Sequence, residues 1–287
     1  SCDQMELLAY RGDQKFKYMS LKYFGEPDED DLKLARYLLS LPSREFDQEL
    51  IPSEDSIEFI KKEISQYGFN GSVELVRNIP SHALFLPSRN LLRVKSGEQF
   101  SEKFVNGLCH HEIGVHMLTT ENAKRQSLRV FENGLPLNTL TQEGVAIVSE
   151  YYSGSLSIDR LKELALRVVT VSHMLKNYDF KETFSYLVER YGVDTTKAYY
   201  LTARIYRGGG FTKDYLYLRG FRKILELVKN DVDISPLLIG KTSVEYFGEI
   251  KELIERGILS PPKYITRSLI EKSNKDDEIL NYILSEL

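Results

Sequence analysis

Residues 109–122 read "CHHEIGVHMLTTEN" and set two imidazoles and a carboxylate, His111, Glu112 and His116, within six positions. Neutral imidazole nitrogens are good donors for zinc, and a carboxylate beside a ligand can take a proton from water. The spacing is the difficulty. At about 100° per residue, five residues of a regular α-helix leave the two rings roughly 140° apart, too wide for one tetrahedral ion. A π-turn, at roughly 80° per residue, brings them back to nearly the same side, and such turns concentrate at functional sites. The helix is therefore expected to be distorted between His111 and His116, with Gly114 letting the backbone deform. A regular helix there, with the rings splayed, would exclude a shared metal.

The pattern around the histidines points inward. Phe104, Val105 and Leu108 begin an apolar face, and seven positions on this face continues into His111, Glu112 and Val115. Buried imidazole and carboxylate groups cost several kcal/mol unless they are paired or hold a metal. His110 projects elsewhere and is expected behind the ligands or at the surface.

Zinc with two histidines needs a further protein ligand and keeps a fourth position for water. Glu121, Glu132, Glu143 and Glu150 are the downstream candidates. Glu143 lies in "TQEGVAIVSEYY", where Thr141 is expected to cap a helix and Glu143 has an ordinary reading as a first-turn carboxylate. Yet Glu143, Ile147 and Glu150 share one face of that helix, so it carries acid toward its buried side. A third stretch, "RIYRGGGFTKDYLYLRG" at 204–220, gathers cations: Arg204, Arg207, Lys213 and Arg219. A guanidinium is the natural bidentate partner of a carboxylate, which favours Arg207. Lys213 opens a helix against its dipole, which implies a use other than stability. Tyr217, one turn on, can donate a hydrogen bond to an oxyanion, and the three glycines form either a cradle or a plain loop.

The motifs "HEIGVH", "TQEGVA" and the 204–220 block, in that order, resemble the family named for its QEGLA motif. That family includes bacterial proteins and the microtubule-associated tyrosine carboxypeptidases of animals, and the chain reads as a member of bacterial type. The resemblance covers roughly residues 80–225; the first 70 and last 50 residues carry no motif of it. Val145 stands where the name has Leu, and Val115 where Thr is frequent. The resemblance implies a zincin-like metallopeptidase with one Zn²⁺ per chain, held by His111, His116 and Glu143, with Glu112 as general base; Glu150, on the face of Glu143, and His110 are read from their own positions as supporting the ligands. The leading expectation is a carboxypeptidase that removes one C-terminal residue, tyrosine or another aromatic, from a peptide or protein. Arg207, Lys213 and Arg204 would then bind substrate, and Tyr217 would assist catalysis. The alternatives are a metal-binding regulatory or interaction protein without peptidase activity, and a zinc endopeptidase or amidase lacking a carboxylate-binding cation. An intact Glu112 favours an enzyme.

The elements that must position these groups follow from local signals. Acidic "EPDEDD" at 26–31 starts a helix running to Leu41, and Ser53 is expected to cap a second one bearing Ile57, Ile60 and Ile64 and stopped by Gly68. "SVELVRN" and "ALFLPSRNLLRVK" read as strands, the latter a pair about a "PSRN" turn whose edge could receive an extended peptide, with His82 and Arg89 at its rim. Helices are expected near 101–118, 142–153, 159–176, 179–191, 195–206, 213–229, 243–256 and 276–286, capped at Asp159, Asp194 and Thr212 and stopped at Gly192 and Gly257. The fold class is α+β, mainly α, with a small sheet before the histidine helix. One compact domain over 1–287 is expected: a helical N-terminal part (1–70), a catalytic core (72–225) and a helical C-terminal part (226–287).

Composition excludes several classes. A chain of 287 residues with 42% hydrophobic and 28% charged residues and net charge −4 reads as an ordinary globular protein, not a nucleic-acid binder with a broad basic face. No apolar run approaches a membrane span. Two cysteines, Cys2 and Cys109, give no disulfide framework, which favours the cytoplasm; a lipid anchor on Cys2 is the alternative.

Overall fold

The computed structural model describes residues 2–42, 49–79, 81–273 and 278–285. Its elements are mainly helices with two small sheets. They form two compact units, each assembled from two separate stretches: Ser1–Arg44 with Ser157–Arg219, and Glu45–Leu156 with Gly220–Leu287. Because both units are discontinuous in sequence, no linker composition marks the division.

The first unit holds α1 (Cys2–Ala9), α2 (Phe16–Phe24), α3 (Glu29–Ser40), α9 (Ile158–Leu175), α10 (Phe180–Tyr191), α11 (Thr195–Tyr206) and the start of α12 (Leu216–Lys229). Helix α9 is packed by α3, α10, α11 and the 3₁₀ turn Thr212–Tyr215. Local signals explain several boundaries. Asp28 and Asp31 form a reciprocal capping box on α3, and Asp194 caps α11 by accepting from the N–H groups of Thr196 and Lys197. Left-handed Gly192 ends α10. Two expected caps differ. Ser157, not Asp159, caps α9 by accepting from the Arg160 N–H, leaving Asp159 in the first turn where its charge suits the dipole. Thr212 is buried, its N–H donating to Ser20 Oγ at 2.8 Å and its hydroxyl to the Ser20 carbonyl at 3.1 Å. Gly208, Gly209 and Gly210 all adopt positive φ, and a Cβ at Gly209 would meet the Asp13 carbonyl oxygen at 2.7 Å. These glycines serve a close chain approach to residues 13–17, not an open cradle.

The second unit contains β1 (Leu50–Pro52), α4 (Ser56–Tyr67), β2 (Ser72–Val76), β3 (Ala83–Leu86), β4 (Leu91–Lys95), β5 (Gln99–Ser101) and α5 (Glu102–Leu108). A π-helix (Cys109–Met117), α6 (Leu118–Ala123), α7 (Val130–Asn133) and α8 (Asn138–Tyr152) follow. After the remainder of α12 come α13 (Phe247–Glu255), α14 (Arg267–Ile270) and α15 (Glu278–Ser285); positions 276, 277 and 286 of the last expected helix lie outside the described residues. The three-stranded sheet has the order β2-β4-β3, with β3–β4 an antiparallel hairpin and β2 parallel to β4. Strand β4 is thus central and buried through Leu91, Leu92 and Val94, and of the two edge strands β3 packs against the π-helix. Short β1 and β5 pair in a second sheet that three-residue strands cannot announce in sequence. Ser53 is buried there, its N–H bonded to the Glu98 carbonyl, and it does not cap α4. Phe104, expected on the inward face, is 38% exposed and rests beside Phe100 and the exposed His82.

Every residue of α8 from Thr141 to Tyr152 is buried, the signature of a helix enclosed on all sides. It starts three residues earlier than Thr141, whose hydroxyl instead accepts from the Val244 N–H at 2.7 Å. Its Gly144 touches Gly220 of α12: a Cβ on Gly144 would lie 2.5 Å from the Gly220 carbonyl carbon and oxygen. The glycines of the "QEG" and "LRG" motifs are therefore each other's contact. No helix among the described residues is long and apolar enough to cross a membrane.

Candidate metal centre

The histidine helix leaves the α pattern where the five-residue spacing demands it. Residues Cys109–Met117 are π-helical, a longer distortion than one turn. The Leu118 N–H donates to the carbonyls of Ile113 and Val115 and passes over Gly114, its partner in a regular helix. The His111 and His116 rings consequently meet, with centroids 4.9 Å apart. Gly114 itself does not take a left-handed conformation; a Cβ there would press on Tyr67 Oη at 3.2 Å. Its smallness answers to Tyr67 rather than to special backbone freedom.

Glu143 of α8 completes the cluster. Its Oε2 lies 3.5 Å from His111 Nε2 and 3.6 Å from His116 Nε2, and one donor atom from each residue falls within 4.8 Å of the others. Donors held about 2.0–2.1 Å from a tetrahedral zinc stand about 3.3 Å apart, so the two distances to Glu143 fit with small adjustment. His111 and Glu143 are each 8% exposed. Glu150, two turns along α8 from Glu143, accepts from His111 Nδ1 at 2.7 Å, which fixes the tautomer and leaves Nε2 as the donor to a metal. Burial opposes charge on His111, but Glu143 and Glu150 outweigh it and raise its pKa to about 10. A cation between these groups is thus electrostatically welcome. Substituting Glu150→Gln keeps an acceptor but removes its charge; zinc affinity, measured by chelator competition, is expected to fall about 10–100-fold.

The neighbouring groups sort themselves by contact. Glu112 makes no hydrogen bond or ion pair to another described residue and is partly exposed next to His111. Glu121, an alternative ligand by sequence, is tied to Asn90 and Lys124, and neither it nor Glu132 joins the cluster. His110 Nδ1 is buried without a partner, and burial, with Arg267 adding to it, lowers its pKa to about 4. Cys109 is buried, which pushes its thiol pKa up.

The cations of the third motif lie in the first unit. Arg204 is engaged by Asp214, which is fully buried, through Nε and through Nη2 at 3.3 Å, and its Nη2 reaches Tyr217 Oη at 3.5 Å. Arg207 stacks over Phe211 at 4.6 Å and sits 4.0 Å from the same carboxylate; burial lowers its pKa, Asp214 opposing and Arg204 adding to the shift. Lys213 Nζ lies 5.6 Å from the Tyr217 ring centre. Arg167 of α9 lies 5.0 Å over that ring, paired to Glu163, with its Nε buried and unpartnered. Arg219 is held by Asp28 and Asp31 and rests on Tyr215. Asp214 and Arg167 were not legible as members of this cluster, because nothing in their spacing shows their burial.

A mainly helical chain whose π-helix and buried α8 converge a His–His–Glu group able to hold a metal ion is what fold and site define together. The chain belongs to the family described as microtubule-associated tyrosine carboxypeptidase, whose sequence pattern matches residues 2–286. The match extends well beyond the 80–225 span in which the motifs are visible. No curated protein matches the chain.

Proposed function

We propose that the protein is a zinc-dependent carboxypeptidase that removes one C-terminal residue, tyrosine or another aromatic, from a peptide or protein. The observation that carries this reading is the convergence of His111, His116 and Glu143, with one carboxylate oxygen 3.5 and 3.6 Å from the two Nε2 atoms, beside an uncommitted Glu112, in a chain of this family. Bound zinc supplies a Lewis acid that polarises a peptide carbonyl and brings the pKa of water to about 7. His111 and His116 offer Nε2, and Glu143 adds negative charge that moderates the ion. Glu112 accepts the proton of the attacking water on its carboxylate and returns it to the leaving amine. Chemistry alone assigns the terminal carboxylate to Arg207, Lys213 or Arg204, and oxyanion support to Tyr217.

Zinc analysis of the purified protein, with mass spectrometry of peptides bearing free or amidated C-termini, tests the reading. One zinc per chain and single-residue trimming of the free-acid peptides alone are expected. Absence of zinc would remove the metallopeptidase; equal cleavage of both peptide forms would make the protein an endopeptidase or amidase instead. Zinc without cleavage of any peptide would favour a metal-holding interaction protein.

A further inference from the structure

The π-helix carries a cost that the metal does not meet: a carbonyl without its α-helical donor, inside the protein. A segment 152 positions away in sequence supplies the missing bond, with Thr266 Oγ1 donating to the Gly114 carbonyl at 2.6 Å. Gly114 is the carbonyl that the Leu118 N–H passes over. The same segment touches the histidine helix at two further levels. Buried Asn122 of α6 accepts from the N–H groups of Lys263 and Tyr264 at 3.1 and 3.0 Å and donates to the Tyr264 carbonyl at 2.9 Å. At the other end, Ser268 Oγ meets Ser149 Oγ at 2.7 Å, and Ser149 Oγ donates to the His110 carbonyl at 3.2 Å. Residues 263 and 266 meet positions 122 and 114 directly, and 268 reaches position 110 through Ser149, so the segment runs antiparallel along the helix. Thr266, Ser268, Ser149 and Asn122 are all buried. The Tyr67 hydroxyl, which accepts from the Arg267 N–H at 3.3 Å, closes the same spot beside Gly114.

We propose that residues 263–268 form a clamp that holds the histidine helix in its π register, with the Thr266 hydroxyl as the positioning group for the metal donors. A side chain inserted into a helix ladder is an established cause of local departure from the α pattern. Without this donor, the Gly114 carbonyl regains a partner by return to α geometry, which turns His111 and His116 apart. Metal binding would then have to restore the π register, and the apparent affinity falls by the fraction of chains that hold it. The link to metal rests on the zinc reading above; the link to helix register does not.

The test uses the full chain with Thr266→Val, nearly isosteric but lacking the hydroxyl, and Thr266→Ser, which restores it. Ser268→Ala probes the second level. Zinc affinity is measured by chelator competition well below the melting temperature, and amide exchange over 109–118 is measured in metal-free protein. Thr266→Val is expected to weaken zinc on the order of tenfold and to speed exchange over 109–118. Thr266→Ser should match the wild type, and Ser268→Ala should fall between. Wild-type zinc affinity and exchange in a folded Thr266→Val protein would overturn the clamp. A lower melting temperature with zinc affinity unchanged would also overturn it, reducing the hydroxyl to general stability. A wild type that binds no zinc overturns the metallopeptidase reading, and the exchange comparison still decides the clamp.

Discussion

Glu112→Gln is expected to lower kcat for peptide trimming about 10²–10⁴-fold while leaving one zinc bound per chain. The size follows from removing a general base that serves both water attack and amine departure; it corresponds to about 3–5 kcal/mol of barrier. The retention of zinc follows from the structure. Glu112 is not among the three converging donors, and it bonds to no other described residue, so an isosteric amide disturbs no contact. Its charge does contribute to the potential at His111, so a modest change in metal affinity is compatible with the assignment. Steady-state rates and metal content measured on the same sample separate the outcomes. Undiminished trimming by Glu112→Gln would remove the base from Glu112, and joint loss of zinc and activity would make it structural.

Gly144→Ala is expected to destabilise the protein by about 3 kcal/mol or more, since backbone cannot step aside as a flexible side chain can. The added methyl would stand 2.5 Å from the Gly220 carbonyl group, so α8 and α12 must separate. Thermal unfolding should move down by roughly 5–10 °C. Gly220→Ala should act alike, because its Cβ would meet the Leu140 carbonyl oxygen and the Gly144 backbone. Zinc affinity should fall with stability, since Glu143 precedes Gly144 on the displaced helix. Gly248→Ala is the control: it lies in α13 with nothing within 4 Å of an added Cβ and should be stabilising by roughly 0.5–1 kcal/mol. A melting temperature for Gly144→Ala equal to that of the wild type would show that the two helices do not need this approach.

Local rules carried the sequence reading a long way. The "PSRN" turn signal marked the β3–β4 hairpin, and Asp194, Gly192 and Gly68 mark helix ends because a cap is decided by its nearest neighbours. The meeting of His111 and His116 was legible for another reason: five-residue spacing on an inward face joins two imidazoles only where the helix leaves the α pattern. What escaped depends on distant partners. Thr141 looks like a cap until Val244 claims its hydroxyl, and Thr212 until Ser20 does. The single turn expected near Gly114 became a nine-residue π-helix because Thr266 and Ser149 serve its carbonyls from elsewhere, and no periodicity within 101–118 records that support. The glycines of two motifs gained a shared reason only when α8 and α12 were seen to touch.

The bond from Thr266 to Gly114 also sets an order of events during synthesis. The histidine helix is made 152 positions before the residue that completes it, an interval of roughly 8–30 s at about 5–20 residues per second. Through that time the helix can form in its regular α geometry, with its two imidazoles apart. Metal acquisition on this account favours the finished chain over the nascent one, and a ribosome-held chain ending before residue 260 is expected to bind zinc more weakly than the full chain.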